Sequence, residues 1–210
     1  MNWKNNVLRK SDIYAIIDTK LFPKKSLCKK IPTLLKNKVR LFQIRDKNSD
    51  LKSTLSYALE LKRLLGGKAL LIINDSPEIA ILAQADGLHV GQEDIPIKLA
   101  RKILGNRKII GASSTSIRQA IEAQKDKADY IGFGSIFETK TKKDHTVINR
   151  QEICQLIKKI RVPLFFIGGI TPERLQSLKN YRIKKIAVCG ALAKSKNIDK
   201  TIAQFRDILK

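Results

Sequence analysis

LFQIRDK, residues 41–47, is a short apolar run that turns polar just before a helix start. The same grammar recurs in LLIINDS (70–76), GLHVGQED (87–94), IIGASS (109–114), YIGFGSIFETKTKKD (130–144), LFFIGGI (164–170) and IAVCGA (186–191). IYAIID (13–18) opens the series. Eight strands alternating with helices, with the unusual residues gathered after the strands, predict an α/β protein built as a (β/α)8 TIM barrel. In that fold the active site is assembled from the loops at the C-terminal ends of the strands, so the chemistry is sought there.

The 210 residues suffice for one buried core and read as a single barrel domain over 1–210, with 1–12 an N-terminal extension. No linker, low-complexity tract or solenoid-length repeat interrupts it. MNWKNNVLRKSD is basic but lacks the apolar centre of a signal peptide, and no apolar run is long enough to span a bilayer. Cys28, Cys154 and Cys189 are odd in number and lack metal-ligand spacing, so they read as reduced thiols in a cytoplasmic protein. Lys and Arg number 42 against 19 Asp and Glu, a net charge of +23. The lysines are spread along the chain with no arginine-rich arm and no interleaved aromatics, which argues against a nucleic-acid partner. Such a positive field still draws in anionic small molecules.

The intervening helices are legible. Leu51, Leu55, Ala58, Leu61 and Leu65 share one helical face, and Gly66-Gly67 stops that helix. Ser116 with Gln119 forms a capping box, and Thr171-Pro172 supplies a cap and a first-turn proline. Asp86 and Asp129 precede strands four and six, at the end of the barrel away from the active site, and read as structural.

At the strand ends, alternation puts Gln43, Arg45 and Lys47 on one face, a candidate phosphate clamp; the alternative is an edge of solvated charge. Asn74-Asp75 ends strand three and Gln92-Glu93-Asp94 follows strand four, so two carboxylates can meet across neighbouring loops. Hard oxygen ligands without Cys or His nearby suit Mg²⁺. The alternative for each acid is a helix N-cap, since Ser76-Pro77 and Ile95-Pro96 follow. His89, inside strand four, reads as a hydrogen-bonded interior residue, and His145 as exposed. Glu138 to Asp144 form a long polar stretch suited to a lid, its threonines and lysines able to close on an anion. Gly168-Gly169 and Cys189-Gly190, after strands seven and eight, stand where this fold recurrently binds phosphate.

QIRDK, IND, ADGLHVGQED, GAS, GFGSIFETKTKKD and IGGI, in this order and spacing, resemble the thiamine phosphate synthase family over about residues 13–193. The resemblance implies a transferase (EC 2.5.1.3) acting on small phosphorylated substrates. That family joins 4-amino-2-methyl-5-hydroxymethylpyrimidine diphosphate to 4-methyl-5-(2-phosphoethyl)thiazole, releasing diphosphate. By motif, Gln43, Arg45, Lys47, Asn74 and Ser113 would hold the pyrimidine diphosphate, with Lys142 reaching it from the lid. Asp75 and Asp94 would bind Mg²⁺. Thr139, Thr141, Gly169 and the Cys189-Gly190 backbone would hold the thiazole phosphate. The family's dissociative substitution leaves a pyrimidine carbocation for the thiazole nitrogen to attack. The catalytic burden then falls on Arg45, Lys47, Ser113 and Lys142. A homo-oligomer is compatible with all of this.

The chain departs from the family pattern in three places. Glu138 precedes Thr139 where a proline is usual, Cys189-Gly190 replaces Ile-Ser, and HTVINRQE lacks a Pro-x-Gly. One rival is the thiazole tautomerase branch of the same fold, which shares the Phe-Glu-Thr lid but has a histidine base after strand five, where this chain has Thr115. A second is a non-catalytic barrel binding phosphate ligands or nucleic acid. The carboxylate pair and the lid lysine favour the synthase.

Overall fold

The computed structural model describes residues 3–139 and 150–210. Eight parallel strands close into a barrel in sequence order: β1 (Ile13–Asp18), β2 (Leu41–Arg45), β3 (Leu70–Asn74), β4 (Gly87–Val90), β5 (Ile109–Ser114), β6 (Tyr130–Phe133), β7 (Leu164–Phe166) and β8 (Ile186–Val188). β8 returns to pair with β1, with Ile13 opposite Ile186, so no strand edge is left exposed. Around it run α1 (Trp3–Lys10), α2 (Lys24–Lys36), α3 (Leu51–Leu65), α4 (Pro77–Leu82), α5 (Ile97–Leu104), α6 (Ile117–Lys125), α7 (Arg150–Lys159), α8 (Pro172–Gln176), α9 (Gly190–Lys194) and α10 (Ile198–Leu209).

Strand side chains alternate between two apolar layers, which is why the strands are apolar on both faces. Tyr14, Ile16, Leu41, Leu70, Ile72, Ile109, Tyr130, Phe165 and Ala187 fill the lumen. Their neighbours, such as Ile13, Ala15, Ile17, Phe42 and Ile44, pack outward against the helices. The segment expected to be a mere extension is helical and closes the bottom of the barrel. Leu8 of α1 joins the lumen cluster, and Lys185 Nζ donates to the carbonyls of Arg9 (2.5 Å) and Ser11 (2.7 Å).

The punctuation residues act as expected, with two differences. Gly66 ends α3 with φ +52°, and Thr171 caps α8 by accepting the Arg174 N–H. Ser116 caps α6, but the Gln119 side chain reaches back to the Thr115 N–H (2.8 Å), one residue earlier than an ordinary capping box. Leu51, expected on the buried face of α3, is exposed. It opens the first turn of the helix, and Tyr57 supplies the buried aromatic instead. Asp86 and Asp129 are structural: each carboxylate accepts a strand N–H, from Leu71 and Ile110, and pairs with Lys4 and Arg101.

Candidate active site at the barrel mouth

The inward-facing residue at or just past each strand end forms the mouth, and β2, β3 and β4 supply its charge. Arg45 ends β2 and its guanidinium donates to Asp18 at 2.5 Å, while Lys47, two residues on, forms an ion pair with Asp75. The two expected clamp cations therefore diverge, one leaning on β1 and the other on β3. Asp18 was missed in the sequence although it closes IYAIID. It is buried, and alternation alone places it on the inner face beside Arg45, opposite in register.

Asp75 and Asp94 come together. They share a hydrogen bond, and the Asp94 carboxylate also accepts the Gly91 N–H at 2.6 Å. Burial, then the hydrogen bond with Asp94, pushes the Asp75 carboxyl up to about 6. Burial would raise Asp94 as well, but its hydrogen bonds with Asp75 and Gly91 outweigh that and hold it below the usual range. As a pair the two carboxyls keep a proton to higher pH than an isolated one would. Neither acid caps a helix: Ser76 caps α4, accepting the Ile79 N–H, and Pro96 holds the cap position of α5. With the capping alternative gone, both carboxylates are available to a cation. Two hard oxygen donors, the rest of the shell left to water and phosphate, suit Mg²⁺. Among the described residues no cluster of three or more His, Cys, Asp or Glu competes for a metal.

This pair gives a first prediction. Because its folded pKa lies above its unfolded value, Asp75 contributes stability below about pH 4 that is lost as pH rises through about 6. In metal-free protein at pH 7, Asp75→Asn should therefore raise Tm by roughly 2–4 °C. Asparagine tolerates the φ of +62° at this position. Thermal melts with chelator should show the gain shrinking toward pH 4.5. An unchanged or lowered Tm at pH 7 would refute the raised Asp75 pKa.

Behind the cations lies a polar interior. Gln43 donates to the Tyr14 hydroxyl (2.7 Å), which meets the Tyr130 hydroxyl (2.7 Å); Tyr130 in turn reaches His89 Nδ1 (2.9 Å). His89 Nε2 lies 2.9 Å from Ser113 Oγ. His89 is thus an interior hydrogen-bonded residue, as its sequence context indicated. Gln92 crosses from the β4 loop to the Ser113 carbonyl at 2.6 Å, and Asn74 stands at the β3 end beside His89 in register.

Across the mouth, Ile136 N and Phe137 N donate to the carbonyls of Ile167 and Gly168 at 2.9 and 3.1 Å, so the root of the expected lid is laid against the β7 loop. Arg174, also missed in the sequence, ties the two together by donating to the Glu138 and Gly169 carbonyls at 3.0 and 3.1 Å. This packing revises the reason for the glycines. Gly169 has φ +58°, and a Cβ there would run into the Glu138 carbonyl, so the lid root rather than a phosphate demands glycine. At Gly190, by contrast, a Cβ would meet nothing within 4 Å. Cys189 beside it is half-buried, and burial pushes its thiol up to about 12, which leaves it inert as a nucleophile. Thr139 is the last described residue in the stretch expected to form a lid; Thr141, Lys142 and His145 lie outside the described residues. An open groove of about 640 Å³ between α2 and α3 is lined by Thr19, Lys24, Asp46, Ser49, Ser53 and Tyr57, none of them expected at the site.

A closed parallel barrel with a carboxylate pair and cations gathered at one side of its mouth has the architecture of a barrel enzyme, with its polar site at the C-terminal ends of the strands. Residues 13–192 match the family model described as thiamine monophosphate synthase, and the chain belongs to that family. The thiamine-phosphate synthase of Ruminiclostridium cellulolyticum is 36% identical over 197 residues, covering 93% of this chain and 94% of that protein. That of Methanosarcina mazei is 35% identical, covering 99% of this chain and 86% of that protein. A solved thiamine phosphate pyrophosphorylase from Pyrococcus furiosus superposes with TM-score 0.84 at 30% identity, covering 98% of this chain and 96% of that one. The activity is that of a thiamine-phosphate synthase, a transferase. Among the described residues no helix is long and apolar enough to cross a membrane.

Proposed function

We propose that this barrel condenses 4-amino-2-methyl-5-hydroxymethylpyrimidine diphosphate with 4-methyl-5-(2-phosphoethyl)thiazole by a dissociative substitution. The observation that carries the reading is the Asp75–Asp94 pair, facing across β3 and β4 beside Lys47 and used by neither helix as a cap. Mg²⁺ held by these two carboxylates would supply positive charge for the diphosphate and its departure.

Arg45 and Lys47 take the remaining diphosphate charge. Each is held at its strand end by an ion pair with a neighbouring acid, Asp18 for Arg45 and Asp75 for Lys47. Gln43, Asn74 and Ser113 orient the pyrimidine end. Thr139, Thr141, Gly169 and the Cys189-Gly190 backbone hold the thiazole phosphate on the opposite side, which sets the thiazole nitrogen against the carbon that loses diphosphate. Lys142 covers the diphosphate from the lid. No side-chain nucleophile is required, and the inert Cys189 thiol agrees with that. The test is incubation of purified protein with both substrates and Mg²⁺: thiamine phosphate should form, and its absence would refute the reading.

The tautomerase alternative fails on a specific observation. Thr115 occupies the position of that branch's histidine, and both its N–H and its hydroxyl are bound to Gln119 Oε1, at 2.8 and 3.0 Å. It lies just before the Ser116 cap of α6 and has no base to offer. The carboxylated thiazole tautomer supplied alone should therefore remain unisomerised, as followed by NMR. Rapid isomerisation without the pyrimidine substrate would reverse the assignment.

A further inference from the structure

Gln43, Tyr14, Tyr130, His89 and Ser113 stand on five different strands, yet their polar atoms form one continuous hydrogen-bonded chain across the lumen. We infer that this chain is a one-way relay: the Gln43 amide donates into it, His89 is held as the Nε2-protonated tautomer, and Ser113 is left to donate its hydroxyl proton to the ligand. The ligand-facing half rests on the placement of Ser113 in the substrate site proposed above.

The polarity follows from counting protons. The Gln43 Nε2 group only donates, so the Tyr14 oxygen accepts from it at 2.7 Å. The Tyr14 proton then goes to Tyr130, and the Tyr130 proton to His89 Nδ1. A neutral imidazole that accepts at Nδ1 carries its proton on Nε2, which faces Ser113 Oγ. Ser113 therefore accepts from below and donates upward. With Gln43 presenting its amide nitrogen to Tyr14, reversing either of the two links of Tyr130 leaves a tyrosine O–H without its acceptor inside the barrel. Gln43, Tyr14, Tyr130 and His89 are all buried, so such an orphan is costly.

Packing keeps the groups from swinging. The Tyr14 and Tyr130 rings meet edge-on at 5.5 Å, Phe165 flanks both, and His89 stacks on Tyr130 at 5.4 Å. The barrel is also carved for the chain. A Cβ on Gly111 would fall inside the Tyr130 ring, and one on Gly132 would lie 3.4 Å from His89 Cε1. Only a strand bare at Gly111 admits the tyrosine, whereas at Gly132 a Cβ would just touch the imidazole.

A serine hydroxyl is ordinarily indifferent, able to donate or accept. Polarised by the relay, Ser113 selects a ligand atom that accepts, such as a phosphate oxygen or an unprotonated ring nitrogen, and is mismatched to an N–H. His89, Tyr130 and Tyr14 are thereby positioning residues, acting on the ligand through Ser113.

Two measurements test this. In ¹⁵N-histidine-labelled protein without substrates, long-range ¹H–¹⁵N correlations should show His89 protonated on Nε2 and bare on Nδ1, and Tyr130→Phe should convert this to a tautomer mixture. In steady-state kinetics, His89→Gln, which keeps an amide donor near the Nε2 position, should retain kcat/KM for the pyrimidine diphosphate within about threefold. His89→Leu should lose about thirtyfold or more at a comparable Tm. An Nδ1-protonated His89, or equal losses in the two His89 variants, would overturn the relay whatever the absolute activity. Wild-type turnover in Ser113→Ala would instead remove Ser113 from the substrate site and overturn the ligand-facing half.

Discussion

Asp75→Ala and Asp94→Ala are each expected to lower kcat/KM by roughly 100–1,000-fold, the scale of losing one preorganised electrostatic contact at a reacting centre. The two carboxylates face each other, share a hydrogen bond and cap no helix, so neither replacement removes a structural cap. Asp75→Ala also releases Lys47 from its ion pair, and that lysine remains available to the diphosphate. If the acids serve one cation, their effects are not additive, and the double variant should be little worse than either single one. Chelation of the wild-type enzyme should reproduce the loss and added Mg²⁺ should reverse it. Near wild-type turnover in chelator, or in either single variant, would remove the metal from the mechanism.

Lys142→Ala should lower kcat more than it raises KM, by about 2–4 kcal/mol in transition-state stabilisation. The charge on the leaving diphosphate grows as the C–O bond breaks, and a lysine closing from the lid acts mainly on that growth. Lys142 lies outside the described residues, but the chain leading to it is anchored. Ile136 and Phe137 are hydrogen-bonded to the β7 loop, and Arg174 grips the Glu138 carbonyl. Lys140→Ala and Lys143→Ala are the controls, with changes within a few-fold expected if those lysines only solvate the loop. Equal losses at all three would indicate a diffuse field, in keeping with the +23 net charge, and the specific role of Lys142 would be withdrawn.

The strand–polar–helix grammar determined the barrel because it is local. Each apolar run is buried on both faces, each cap lies within a turn of the helix it starts, and the loop after each strand must emerge at the same end. LFQIRDK, IIND and GLHVGQED therefore set the mouth residues, and Asp75 and Asp94 could be paired from neighbouring strands alone. Whether those acids cap or bind a cation was undecidable at that level, because Ser76 rivals Asp75 for the α4 cap and only the folded loop turns Asp94 back onto the Gly91 N–H.

Contacts between strands far apart in sequence had no local signal. Tyr14 and Tyr130 look like ordinary aromatic core residues, yet their hydroxyls meet across 116 positions, in a space left by Gly111. Asp18 stands 27 residues from Arg45 and orients it, and Arg174 reaches back 36 residues to hold the lid root. Even the Gly168-Gly169 pair takes its necessity from the β6 segment folded against it. Strand alternation and helix punctuation made most of the mouth residues legible before any tertiary contact was known, Asp18 and Arg174 excepted. The closure of β8 on β1 decided which polar atoms touch. A buried donor must find an acceptor, and only the closed barrel brings those atoms together.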